Sequence, residues 1–173
     1  MGELISIVLL LSDSENFGGS TTGAGDANVG VTANGATEAE ITYDIATRVE
    51  GRLLALGASV FLTRGPQNDP SEQERVALTN KSNADLMISL NCDSYKNELA
   101  HGVATYSYGS DAHGVHSVVG DRFASLVQRE ICARTDLQDC GVHAKTWDLL
   151  RLVSAPAVRI DLGYLSNPSD ADR

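Results

Sequence analysis

The sequence predicts a single α/β domain over residues 1–173, a mostly parallel twisted sheet with helices on both faces. Two observations carry that expectation. Short runs rich in Val, Ile and Leu alternate along the chain with segments whose apolar residues recur every three or four positions, the pattern of strand–helix–strand units. The strand-like runs are close to continuous in apolar residues, as in strands covered on both faces. A length of 173 residues with 42% apolar and 21% charged residues suits one ordinary globular core.

Ile5–Leu11 reads as the first buried strand. It does not read as a secretory leader, because Glu3 stands where a basic residue belongs and no small-residue cleavage site follows. The run is also far shorter than the ~20 residues of a membrane helix. Ser12–Thr37 is rich in Gly, Ser, Thr and Asn, lacks a hydrophobic period and reads as a long loop. Thr37 with Glu40 three places on is a capping-box pattern, and Ile41, Ile45, Val49 and Leu53 form a helical stripe that Gly57 ends. Ala58–Thr63 reads as a strand. A second helix opens with Asp69 as N-cap, Pro70 in its first position and Glu72 in its third. Leu86–Leu90 and Gly102–Tyr108 read as strands, and Val115–Thr135 as a third helix burying Val119, Phe123, Leu126 and Ile131. Leu149–Val153 and Ala157–Leu162 read as two short strands. Asn167-Pro168-Ser169 starts a last helix that the chain ends before finishing.

The formal net charge of −10, with no run of Lys or Arg, argues against nucleic acid as a partner. Cys92, Cys132 and Cys140 include no CxxC pair, and an odd count without a framework suits reduced thiols in a cytosolic protein, a Cys132–Cys140 bridge being the alternative. Cys132, Cys140 and His143 offer a minor metal-site alternative. Gly23-Ala24-Gly25 has Asn28 where a dinucleotide loop needs its third glycine, and no GxSxG elbow is present.

Three stretches carry a recognisable plan: Glu38–Ala46 running through Leu56-Gly57-Ala58 to Leu62-Thr63-Arg64; Glu74–Asn80 with Ala84–Leu90; and Pro156–Asn167. In this order and spacing the chain resembles the zinc N-acetylmuramoyl-L-alanine amidases of the Amidase_3 type. That resemblance implies a site with a His after the first strand, a Glu opening the first helix, a second His ending the Ile88-Ser89 strand, and a catalytic Glu on the last strand. The chemistry explains the requirement: two imidazoles and a carboxylate hold zinc with one position open for water, and the metal acidifies that water while the Glu moves the proton.

Three of the four positions depart from the pattern. The first falls within residues 14–17, which contain no His; Glu38 matches the ligand Glu; Asn91 stands in place of the second His; Asp161 stands in place of the catalytic Glu. Asn91 offers only a neutral carbonyl oxygen, a poor zinc donor beside an imidazole. His101, His113, His116 and His143 all lie outside the ligand positions. Zinc is therefore expected to be absent or weakly held, with no catalytic residue and Asp161 as a degenerate one. Glu38 also suits the first turn of a helix through the helix dipole alone.

Val49–Arg52, Gln128–Glu130, Ala133–Thr135 and Thr146–Leu152 extend the likeness to an actinobacterial branch of the family that also lacks both histidines. That branch implies a cytoplasmic regulator of peptidoglycan precursor synthesis. Its implied partner is MurA, the enolpyruvyl transferase of the first committed step, with input from a membrane Ser/Thr kinase through regions outside this chain. Two other readings stay open: a weak or differently metallated amidase using Glu38, Asp161 and Asp13, and a sensor that binds muropeptides in the old groove.

Overall fold

The computed structural model describes residues 5–11, 32–33, 35–65, 68 and 70–173. Its sheet is mixed but mostly parallel. The strands are β1 (Ser6–Leu11), β4 (Ser59–Leu62), β5 (Leu86–Asp93), β6 (Val103–Ser110), β7 (Val115–His116), β8 (Asp139–Lys145) and β9 (Ala157–Tyr164), in the order β4-β1-β5-β9-β6, with β7 and β8 both on β6. β4, β1, β5 and β9 run parallel; β6 is antiparallel to β9, and β8 is parallel to β6. A two-residue pair, β2 (Thr32–Ala33) with β3 (Ala36–Thr37), closes the end of the stretch read as loop; residues 12–31 lie outside the described residues.

Helices α1 (Glu38–Ala55) and α3 (Val118–Arg134) cover one face, where Ile7, Leu9, Leu11, Ile88, Leu90, Val158 and Ile160 are buried. Helices α2 (Glu72–Ser82) and α4 (Asp148–Leu152) cover the other, over Val8, Leu10, Met87 and Ala157. Successive residues of β1 thus point into different cores, which is why the strand is apolar throughout. Leu9 and Leu11 are fully buried, each side chain contributing roughly 2–3 kcal/mol of apolar burial. The last helix, α5 (Pro168–Ala171), opens where the Asn167 pattern places it, with the Asn167 side chain accepting from the Ser169 and Asp170 amides.

The N-terminus of α1 is a complete capping box. Thr37 Oγ1 accepts the Glu40 amide at 3.1 Å, and Glu40 Oε2 accepts the Thr37 amide at 2.9 Å. At the other end Gly57 takes φ +86°. Its N–H reaches Leu54 O and that of Ala58 reaches Leu53 O, a Schellman closure.

Several expectations are corrected. The cap of α2 is Ser71, boxed with Glu74, so Pro70 precedes the helix; Asp69, read as the cap, is outside the described residues. Ser71–Glu74 has the same three-residue spacing as Asp69–Glu72, so spacing alone does not choose between them. Helix α3 begins at Val118 under a Ser117 cap, because Val115–His116 turn back to pair with β6. Its buried line is Gly120, Ala124 and Gln128, flanked by Phe123, Val127 and Ile131, so Val119 and Leu126 face solvent. Leu149–Val153 is not a strand: it is mostly α4, one turn that buries Leu149 and Leu150, too short for a helical period to register. β8 was not anticipated, being polar and half-exposed at the sheet edge.

Candidate functional site

The candidate site lies at the C-terminal ends of β5 and β9, beside the first residue of α1, where an open α/β sheet presents its crevice. Glu38 is the first residue of α1 and is buried. Its Oε1 accepts the Cys92 N–H at 2.9 Å, bracing β5 where the β5–β9 register shifts between Asn91 and Asp93. Asn91 and Asp161 are register partners on adjacent strands, and both are buried. Asn91 Nδ2 donates to Ser89 Oγ at 2.9 Å. Asp161 Oδ1 accepts from Arg159 Nε at 2.7 Å, an ion pair whose side chains are only 15% and 6% exposed.

Electrostatics tie these groups together. The Cys92 thiol is pushed up to about 12, first by burial and then by the negative charges of Glu38, Asp161 and Asp93 around it. Burial likewise raises the Asp161 carboxyl above its ordinary value, while the Arg159 charge and hydrogen bond pull it back, as does a weaker bond from Tyr106. The structure therefore brings together Glu38, Asn91 and Asp161, and adds Cys92, Asp93, Tyr106 and Arg159. Arg159 was legible in principle: it stands two residues before Asp161, on the same face of one strand.

The described residues alone do not supply the donor set of such a zinc site. Zinc sites of this kind take three protein donors of imidazole or carboxylate type. Glu38 accepts a backbone amide through Oε1, Asn91 is a neutral amide turned to Ser89, and the charge of Asp161 is matched by Arg159. Among the described residues no group of three His, Cys, Asp or Glu is placed to hold a metal. Residues 13–17, including Asp13, lie outside the described ones. The Cys132–Cys140–His143 alternative is not assembled either. Cys140 Sγ donates to His101 O, His143 Nε2 is bonded to Cys140 O at 2.8 Å, and the three cysteines are free. His113 is bonded to Ser110 Oγ, and His116 lies on exposed β7.

A sheet of this order, with an acid opening the first helix and an acid near the end of its central strand, defines an α/β domain of the zinc-amidase type with altered metal positions. The chain belongs to the N-acetylmuramoyl-L-alanine amidase family, Amidase_3, whose model matches residues 18–173. It is similar to the N-acetylmuramoyl-L-alanine amidase CwlM of Mycobacterium tuberculosis, 44% identical over 152 residues, covering 86% of this chain and 37% of CwlM. It is 30% identical over 151 residues to the amidase LytC of Bacillus subtilis, covering 87% of this chain and 30% of LytC. The chain thus spans about a third of the length of these two relatives. Among solved structures, an N-acetylmuramoyl-L-alanine amidase from Clostridium difficile 630 superposes with TM-score 0.82 at 21% identity, over 99% of this chain and 86% of that one, a likeness of fold. Among the described residues no helix is long and apolar enough to cross a membrane.

Proposed function

We propose that this domain binds and regulates rather than hydrolyses, as a catalytically inactive amidase homologue acting on peptidoglycan precursor synthesis in the cytoplasm. The observation that carries the reading is the internal satisfaction of the old site. The carboxylate at the proton-transfer position is held by Arg159, and the retained ligand Glu38 holds the Cys92 amide. Without a metal-activated water the reaction loses a shift of water pKa from about 16 to about 7. Among the described residues no Ser–His or Cys–His arrangement stands beside Asp161 to replace it. The partner proposed is a protein, MurA, with Ser/Thr kinase input arriving through segments outside this chain.

The test is elemental analysis of the dialysed protein, muropeptide digestion with and without chelator, and calorimetric titration with MurA. Substoichiometric zinc, no release of stem peptide and saturable MurA binding are expected. Stem-peptide release that chelator abolishes overturns the regulatory reading in favour of the amidase.

A further inference from the structure

Helix α3 carries apolar residues on two sides and packs with one. Its buried line runs through Gly120, Ala124 and Gln128, so the core has no place for Val119 and Leu126, which stand 58% and 41% exposed. The outer face of such a helix is ordinarily polar. Here it reads Val119, Arg122, Leu126, Arg129 and Ala133, all exposed, at spacings of three, four, three and four residues. That is the spacing of the two inner positions along a coiled-coil seam, and it keeps the five side chains in one row.

The row is basic as well as apolar. The helix holds three arginines against two acids, in a chain whose net charge is −10, and neither acid, Asp121 or Glu130, falls in the row. Arg122 forms no ion pair among the described residues. Arg129 pairs with Glu130, its neighbour in sequence, with both side chains open to water. A pair so exposed gives way at little cost.

We propose that this face of α3 is a docking surface for an amphipathic helix of a partner protein. The partner's apolar residues meet Val119, Leu126 and Ala133, and its carboxylates meet Arg122 and Arg129. The proposal rests on the regulatory reading above for the existence of a protein partner. Helix-on-helix recognition is carried by apolar anchors along one row, with charges setting register and choice of partner. A second copy of this chain fits less well. From Val119 to Ala133 the row is about 21 Å long on a helix about 10 Å wide. That offers well under the roughly 800 Å² per partner of a standard stable interface. Two copies at −10 each also repel, and the same net charge turns the domain away from an anionic membrane. So small a contact suits an association that forms and dissolves on demand, as regulation requires.

The intact chain is titrated by calorimetry with MurA, the partner proposed above, at low and high salt. Saturable binding that is about ten-fold weaker in Leu126→Asp and in Arg122→Glu is expected, the second with a shallower salt dependence. Arg48→Glu makes the same charge change on the exposed side of α1 and should leave the affinity within about two-fold. All three positions are exposed, and unchanged urea midpoints verify the fold. Saturable binding that both α3 variants leave intact overturns the docking surface and leaves the regulatory reading standing. Equal weakening by Arg48→Glu also overturns it, since net charge alone then explains the effect. Absence of binding by the unaltered chain fails the regulatory reading and takes the surface with it. A concentration-dependent dimer in sedimentation, or capture on phosphatidylglycerol vesicles, that is lost in Leu126→Asp gives the face to another occupant and overturns the proposal.

Discussion

Replacing Arg159 by Met removes the guanidinium and keeps an apolar stem against Trp147. Asp161 is then left 4% exposed, near Asp93, with its principal counter-charge gone. Removing one partner of a buried pair costs about 3–5 kcal/mol. The loss has a ceiling, because the carboxyl takes a proton once ionisation costs more. For a group of ordinary pKa 3.8 that ceiling is about 4 kcal/mol at pH 7. A loss of about 3–4 kcal/mol is therefore expected. With an unfolding entropy of about 2.1 cal/mol/K per residue over 173 residues, the melting temperature should fall by about 8–11 °C.

The pH dependence has a definite sign. A carboxyl whose folded pKa is raised supports the fold below its unfolded pKa, and that support is lost as pH rises through the folded value. Loss of Arg159 raises the Asp161 value further, so the destabilisation relative to the unaltered protein should shrink to below about 1 kcal/mol near pH 4. Adding Asp161→Asn should recover most of the stability at pH 7, since a neutral amide needs no counter-charge. Urea and thermal unfolding followed by circular dichroism between pH 4 and 7.5 measure all three proteins. A loss under 1 kcal/mol at pH 7, or one equal at pH 4 and pH 7, would refute the reasoning.

Cys92, with its thiol pushed up to about 12, should be about one part in ten thousand thiolate at pH 8, so iodoacetamide should label Cys132 and Cys140 first and Cys92 only on unfolding, as mass spectrometry can read. Gly102 has φ +105°, and a Cβ there would meet Gln138 O at 2.3 Å; Gly102→Ala should cost roughly 2–4 kcal/mol by urea denaturation. The Glu40 carboxyl is held below its ordinary 4.5 by the Thr37 backbone and hydroxyl, and that of Glu74 by the Ser71 hydroxyl and backbone. Depressed carboxyls support the fold above their unfolded value and lose that support as pH falls through the folded one, so Thr37→Ala and Ser71→Ala should each flatten the acid side of the urea-midpoint profile.

What was legible in the sequence is what one short stretch can specify alone. The Thr37–Glu40 box, the Gly57 stop and the apolar run of β1 each depend on neighbours a few residues apart, and all three stand where they were expected. α4 escaped because five residues hold little more than one helical turn, and the Leu149-Leu150 pair reads equally as buried strand. β8 escaped because its pairing partner, β6, is some thirty residues away and its own residues are polar. At the site, Glu38, Asn91 and Asp161 were found through their places in a family pattern, and the structure buries them close together around the ends of β5 and β9. Their partners were not legible: that Glu38 meets the Cys92 amide depends on a packing 54 residues apart, which no local rule encodes.

The position of β9 bears on how the chain acquires its shape during synthesis. It comes last in sequence among the described strands, yet it lies between β5 and β6 in the sheet. Until Tyr164 has left the ribosome, β4-β1-β5 and β6-β8 are two half-sheets, each with an open inner edge of unpaired amides and carbonyls. At about 5–20 residues per second, the growing chain carries those edges for seconds before the closing strand arrives. Truncation a few residues before Ala157 would leave both edges open for good. A nonsense codon there should yield an aggregating product, not a slightly shortened domain.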